Sequence, residues 1–121
     1  QLYREVLATA DFASTDVKVL SNFTGDFHDA EPVSIRAGLF FQLFHPVLWF
    51  SNLQQAFADG IDLIVEFGGG IGPGSGPESK RPNLESMIKK TMRSTGDSAQ
   101  YLSVINQQSL EKAVNWVNGV E

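Results

Sequence analysis

Residues 61–70, IDLIVEFGGG, decide how this chain is read. Ile61, Leu63, Ile64, Val65 and Phe67 form a short, nearly continuous apolar run that ends in three glycines. A parallel strand covered on both faces shows this pattern, because neither face alternates with polar residues. Working outward from it, helical and extended segments take turns. Downstream, NLESMIKKTMRSTG (83–96) predicts a helix with Leu84, Met87, Ile88, Thr91 and Met92 as its apolar stripe. Asn83 is expected to cap it, and Gly96 to close it. QYLSVI (100–105) reads as a further strand and Ser109 to Val117 as a final amphipathic helix.

Upstream, Trp49, Leu53, Ala56 and Phe57 place a helix before Gly60. Pro46 is expected to begin it and to end the helix before it. Proline lacks an N–H and disfavours helical geometry at its predecessor, here His45. That preceding helix starts near Asp29, Glu31 and Pro32 and runs to about Phe44. VKVLSNFTG (17–25) reads as a strand leaving through a polar turn, and residues 3–10 as a helix. The expected order is therefore helix, strand, helix, helix, strand, helix, strand, helix, an α/β layer fold with parallel strands. Three strands are few for such a sheet, and residues 3–10 have no capping residue before them. Both points lead to the expectation that these elements complete their sheet with others upstream.

Composition narrows the function. The chain has 121 residues, enough for one domain, and 42% are hydrophobic, which excludes a disordered chain. Cysteine is absent, so disulfides, thiol nucleophiles and cysteine-based zinc sites are excluded. That absence, with no signal-like start and no long apolar span, sets the expectation of a cytoplasmic protein with no membrane partner. The net charge of −5 is uneven. Residues 1–66 hold nine acids against three bases, whereas 80–93 hold Lys80, Arg81, Lys89, Lys90 and Arg93 against Glu85 alone. No broad positive surface exists for nucleic acid. The local basic face suits an acidic or phosphate-bearing partner.

No complete catalytic set is present. The loop GGGIGPGSGPESKRP (68–82) fails the dinucleotide fingerprint at Pro73 and at Ser75, and the phosphate-loop pattern at Ser79. No serine has glycine two places away on both sides, as a nucleophile elbow needs. His28 reads as a solvated turn residue and His45 as a helix-boundary residue. Neither has the neighbours of a metal site, so no metal and no cofactor are expected. A glycine turn at the C-terminal end of a parallel strand is nonetheless where such sheets bind ligands.

The stretch IRAGLFFQLFHPVLWFSNLQQAFADGIDLIVEFGGG (35–70) resembles the C-terminal part of malonyl-CoA:acyl carrier protein transacylases. It also resembles the C-terminal part of the acyltransferase domains of polyketide and fatty acid synthases. In that family a helix ending in Gln-Leu runs into a Pro-Val-x-Trp turn. A second helix ends in glycine, and a strand closes in Glu-x-Gly-Pro-Gly. The matching residues are Gln42, Leu43, Pro46, Val47, Trp49, Gly60, Glu66 and Gly68. VKVLSNFTG resembles the family's strand ending in a Ser-Asn-Val-Thr-like turn. The departures are Gly69 and Gly70 where Pro-Gly is usual, a longer loop to the next helix, and His45 where Asn or Ser is common.

The resemblance implies the C-terminal part of an α/β-hydrolase-like core, residues 1–121 being one segment of it. It implies ping-pong transfer of an acyl group, malonyl above all, from coenzyme A to the phosphopantetheine thiol of an acyl carrier protein. The family's elbow serine, histidine and arginine have no match here, so this chain by itself is expected to be inactive. Gln42 matches the residue whose backbone carbonyl orients the family's histidine. Asn22, Gly68, Gly69 and Gly70 fall on substrate-side positions. Lys80, Arg81, Lys89, Lys90 and Arg93 are the expected docking face for the acidic carrier protein. The alternative is a small non-catalytic α/β module that binds a ligand or partner through its glycine-rich loop.

Overall fold

A computed structural model describes residues 2–70, 72–76 and 79–119. The elements are α1 (Leu2–Thr9), α2 (Pro32–Phe41), α3 (Trp49–Ala58), β1 (Leu63–Phe67), α4 (Glu85–Thr95), β2 (Gln100–Val104) and α5 (Gln107–Val117). The chain divides into two compact units, Gln1–Asp59 and Gly60–Glu121. None of the helices described is long and apolar enough to cross a membrane.

The first unit is helical. α1 packs on α2, and Leu7, Leu53 and Ala56 are its buried apolar residues. The strand expected over 17–25 does not form. Leu20 makes only an isolated antiparallel bridge to Phe27, flanked by His28 N–H to Val19 O at 2.7 Å and Ser21 N–H to Asp26 O at 2.8 Å. The segment folds back on itself, with Val17 and Val19 exposed, because no neighbouring strand among the described residues takes up its backbone. Gly25 turns the corner at φ 69°, and its Cα lies so close to α3 that a Cβ there would stand 2.7 Å from Ser51 Cβ. His28 is not a solvated turn residue. It is half-buried, and its ring lies against Gly38 of α2.

Two boundaries differ from expectation. The α-helical part of α2 stops at Phe41 rather than Phe44, and the chain continues in tighter turns, Leu43 N–H to Phe40 O and Phe44 N–H to Phe41 O. These are i→i−3 bonds, the usual way a helix narrows where it ends. α3 begins at Trp49 rather than Pro46. Leu48 is not helical (φ −84°, ψ 54°), and its N–H is bonded to Asn22 O at 3.0 Å.

The second unit is a β-α-β-α arrangement. β1 and β2 pair in parallel, with Leu63 opposite Gln100 and Phe67 opposite Val104. α5 packs against β2, and Ile88, Thr91 and Ala113 are buried. α4 ends as expected at Gly96, in left-handed conformation, whose N–H closes on Met92 O. α5 starts earlier than expected, through a capping box in which Asn106 and Ser109 satisfy each other's N–H groups. The observed order is α-α-α-β-α-β-α, a mixed α/β chain with a two-stranded parallel sheet.

Candidate functional site

In the first unit, the candidate residues Gln42 and Asn22 meet at the break between α2 and α3. Gln42 is half-buried and its N–H bonds to Gly38 O at 3.0 Å. Its carbonyl would next accept from residue 46, but that residue is proline and has no N–H. Among the described residues no backbone N–H donates to the Gln42 carbonyl. Beside it, His45 Nδ1 lies 2.8 Å from Phe41 O. A carbonyl oxygen only accepts, so this contact selects the tautomer with the proton on Nδ1. The His45 ring also meets Phe23 edge-on at 4.7 Å between centroids.

Asn22 reaches the same break from the 17–25 segment. Besides binding the Leu48 N–H, it accepts from Asn52 Nδ2 at 3.3 Å through its side-chain oxygen. Asn22 thus braces the start of α3 from a point far off in sequence. The surroundings are partly unsatisfied. Trp49 Nε1 and Asn52 Oδ1 are buried without a hydrogen-bond partner among the described residues. Phe41, Leu43, Phe44, Val47, Leu48 and Phe50 are exposed, Phe44 to 68%. Six large apolar side chains are thus exposed within ten residues, more than the scattered single ones an ordinary surface carries.

In the second unit, the glycine turn ends β1. Gly68 N–H bonds to Val104 O, and Gly70 N–H to Arg81 O, each at 2.9 Å. A Cβ on Gly70 would run into the Asn83 side chain. Asn83 therefore does not cap α4 as expected, since its side chain is turned to the glycine turn. The two N–H groups just ahead of α4 are taken up by Glu66. Its carboxylate accepts from Asn83 N–H at 2.6 Å, from Leu84 N–H at 3.0 Å and from the Tyr101 hydroxyl at 2.5 Å. Burial, then the hydrogen bond and charge of Glu66, push the Tyr101 phenol well above its ordinary range. Tyr101 is not singled out in sequence, and Glu66 is noted there as a motif match without a site role. The available signal was an acid set inside the apolar run LIVEF. Ile71, Pro77 and Glu78 of the loop lie outside the described residues.

The basic residues separate into two groups. Lys80 and Arg81 lie on the returning arm of the loop, Lys80 Nζ being 3.5 Å from Gly74 O. Lys89, Lys90 and Arg93 are on α4, where Lys89 pairs with Glu85. Lys89, Met92 and Arg93 line an open depression of about 420 Å³ with residues 96–99. Cations suit that position because the C-terminal end of a helix is its negative end.

No family model matches this sequence. A search of curated proteins finds "Malonyl CoA-acyl carrier protein transacylase" of Bacillus subtilis (strain 168), 28% identical over 111 residues. The chain is similar to part of an acyl carrier protein malonyltransferase. The match takes in 92% of this chain and 30% of that protein. Among solved structures, an acyl-carrier-protein S-malonyltransferase from Burkholderia pseudomallei 1710b superposes with a TM-score of 0.68 at 22% identity. It covers 93% of this chain and 31% of its own, and at that identity the likeness is one of fold. The chain spans about a third of the length of the proteins it matches.

Proposed function

We propose that residues 1–121 form a C-terminal segment of an acyltransferase domain with an α/β-hydrolase-like core. The whole domain moves an acyl group, malonyl in the first instance, from coenzyme A to the phosphopantetheine thiol of an acyl carrier protein by a Ser/His ping-pong route. The observation that carries this reading is the Gln42 carbonyl, left without a hydrogen-bond partner among the described residues at a proline-interrupted helix end. An acceptor of that kind holds an imidazole by its N–H and sets which nitrogen is basic. The histidine and the nucleophilic serine come from residues other than these. Asn22 and Gly68–Gly70 are assigned to the substrate side, and Lys80, Arg81, Lys89, Lys90 and Arg93 to carrier-protein docking. The exposed apolar run from Phe41 to Phe50 supports the segment reading, since the remainder of such a domain would cover it.

The test is a chimera. The segment of the Bacillus subtilis relative that matches this chain is replaced by residues 1–121, and transfer of radiolabelled malonyl to carrier protein is measured. Transfer above that of the relative lacking the segment is expected. A chimera that is folded by circular dichroism and transfers nothing sinks the reading. One observation favours the binding-module alternative: the base of the glycine loop is satisfied within its own unit. Cooperative unfolding of residues 60–121 alone, with dispersed NMR signals, would favour it.

A further inference from the structure

Glu66 is a carboxylate only 8% exposed, at the end of an apolar strand. A buried charge is tolerated where hydrogen bonds replace water, and three donors do so here. They arrive from two directions. The N–H groups of Asn83 and Leu84 belong to the main chain where the glycine-rich loop re-enters helix α4. The Tyr101 hydroxyl belongs to β2, opposite Ile64, on the face of β1 that residue 66 shares. The carboxylate also sits at the positive end of α4.

We infer that Glu66 and Tyr101 are positioning residues, a clamp that fixes the base of the glycine-rich loop and so presets the main chain of Gly69 and Gly70 just beyond the end of β1. Glu66 ties β1 to the start of α4, and Tyr101 ties the same carboxylate to β2. Between those anchors, the outgoing and returning arms close on each other through Gly70 N–H and Arg81 O. Glu66 makes no hydrogen bond to Gly70 or Arg81, so any effect of Glu66 at Gly70 travels through the clamp. A ligand approaching the turn meets backbone already in place, without the cost of ordering it. The inference goes beyond acyl transfer and does not depend on it.

The experiment is amide hydrogen exchange by NMR on the full 121-residue chain, comparing Glu66→Gln, Glu66→Asp and Tyr101→Phe with the parent. The reporting amides are Gly70, Asn83 and Leu84; the reference amides are Gly68, bonded to β2, and Gly96, bonded within α4. In Glu66→Gln, the three reporting amides are expected to exchange at least about tenfold faster relative to the two references, the equivalent of about 1.4 kcal/mol in opening free energy. Tyr101→Phe is expected to give the same pattern, weaker, and Glu66→Asp to fall between Glu66→Gln and the parent. Equal acceleration at all five amides would reduce Glu66 to a general stabiliser and overturn the clamp. An unchanged Gly70 would overturn it as well. If Glu66→Gln does not fold, Tyr101→Phe decides by the same two criteria. The clamp pattern in a chain whose chimera transfers no malonyl leaves the clamp standing and removes the acyltransferase reading; the opposite pair of results does the reverse.

Discussion

Pro46 stands at the position whose N–H would close the next helical turn on the carbonyl of Gln42, and it has none to give. The oxygen is kept available by what is missing four residues later. Pro46→Ala restores a donor at that point. The substitution is expected to lengthen α2 and to raise the helical circular dichroism signal, changing stability by no more than about 1 kcal/mol. In the chimera, malonyl transfer is expected to fall on the order of 10²-fold, the scale of a lost general base. Unchanged transfer with a lengthened helix would detach Gln42 from the chemistry.

The turn at Gly25 tests whether the 17–25 segment is a built corner. Gly25→Ala places a methyl group against Ser51 and imposes φ 69° on a residue that disfavours it. A loss on the order of 1–3 kcal/mol is expected, read as a lower midpoint in urea. Gly60→Ala also meets a positive φ, but nothing crowds the added carbon there, so its loss is expected to be smaller.

Tyr101 predicts how stability responds to alkali. Its phenol is held above the ordinary value of about 10 in the folded chain, by burial first and by Glu66 second. The folded state therefore keeps a proton that the unfolded state releases. The stabilisation is fully present below about pH 10 and is lost as the pH rises above that value toward the folded pKa. Urea midpoints measured from pH 8 to pH 11 are expected to fall more steeply for the parent than for Tyr101→Phe. Parallel curves would contradict the Glu66 contact.

In the chimera, the basic residues predict an asymmetry between two reactions. Charge reversal at Lys90 and Arg93 is expected to slow malonyl transfer to carrier protein more than hydrolysis of the acyl-enzyme, with the gap narrowing as salt rises. Lys89 is a less clean probe. Lys89→Glu also removes its pair with Glu85 and sets two acids one turn apart, at a cost of roughly 0.5 kcal/mol. Equal effects on both reactions would take the docking role away from α4.

What could be read in the sequence follows from where the deciding interactions lie. α4, β1 and β2 were legible because their apolar spacing and glycine ends are local. The break at Pro46 was legible because one residue's missing hydrogen causes it. The strand expected at 17–25 was not a safe reading. Val17, Lys18 and Val19 alternate as a strand would, but pairing needs a neighbour, and alternation says nothing of whether one is present. Asn83 misled for a related reason. It is a good cap by type, but its side chain lies against Gly70 instead, while Glu66, from another element, takes the N–H of Asn83 itself and that of Leu84. The brace from Asn22 to Leu48 and Asn52 was hidden because it joins residues far apart in sequence through one carbonyl and one amide.

The acceptor at the helix break belongs to the main chain, which reverses the usual relation between nearness and mutational tolerance. Exchanging the side chain at 42 leaves the oxygen where it is, whereas a single methyl-for-ring exchange at 46 can silence it. A mutational scan of this stretch is therefore expected to be permissive at the position that carries the oxygen and intolerant at one four residues away.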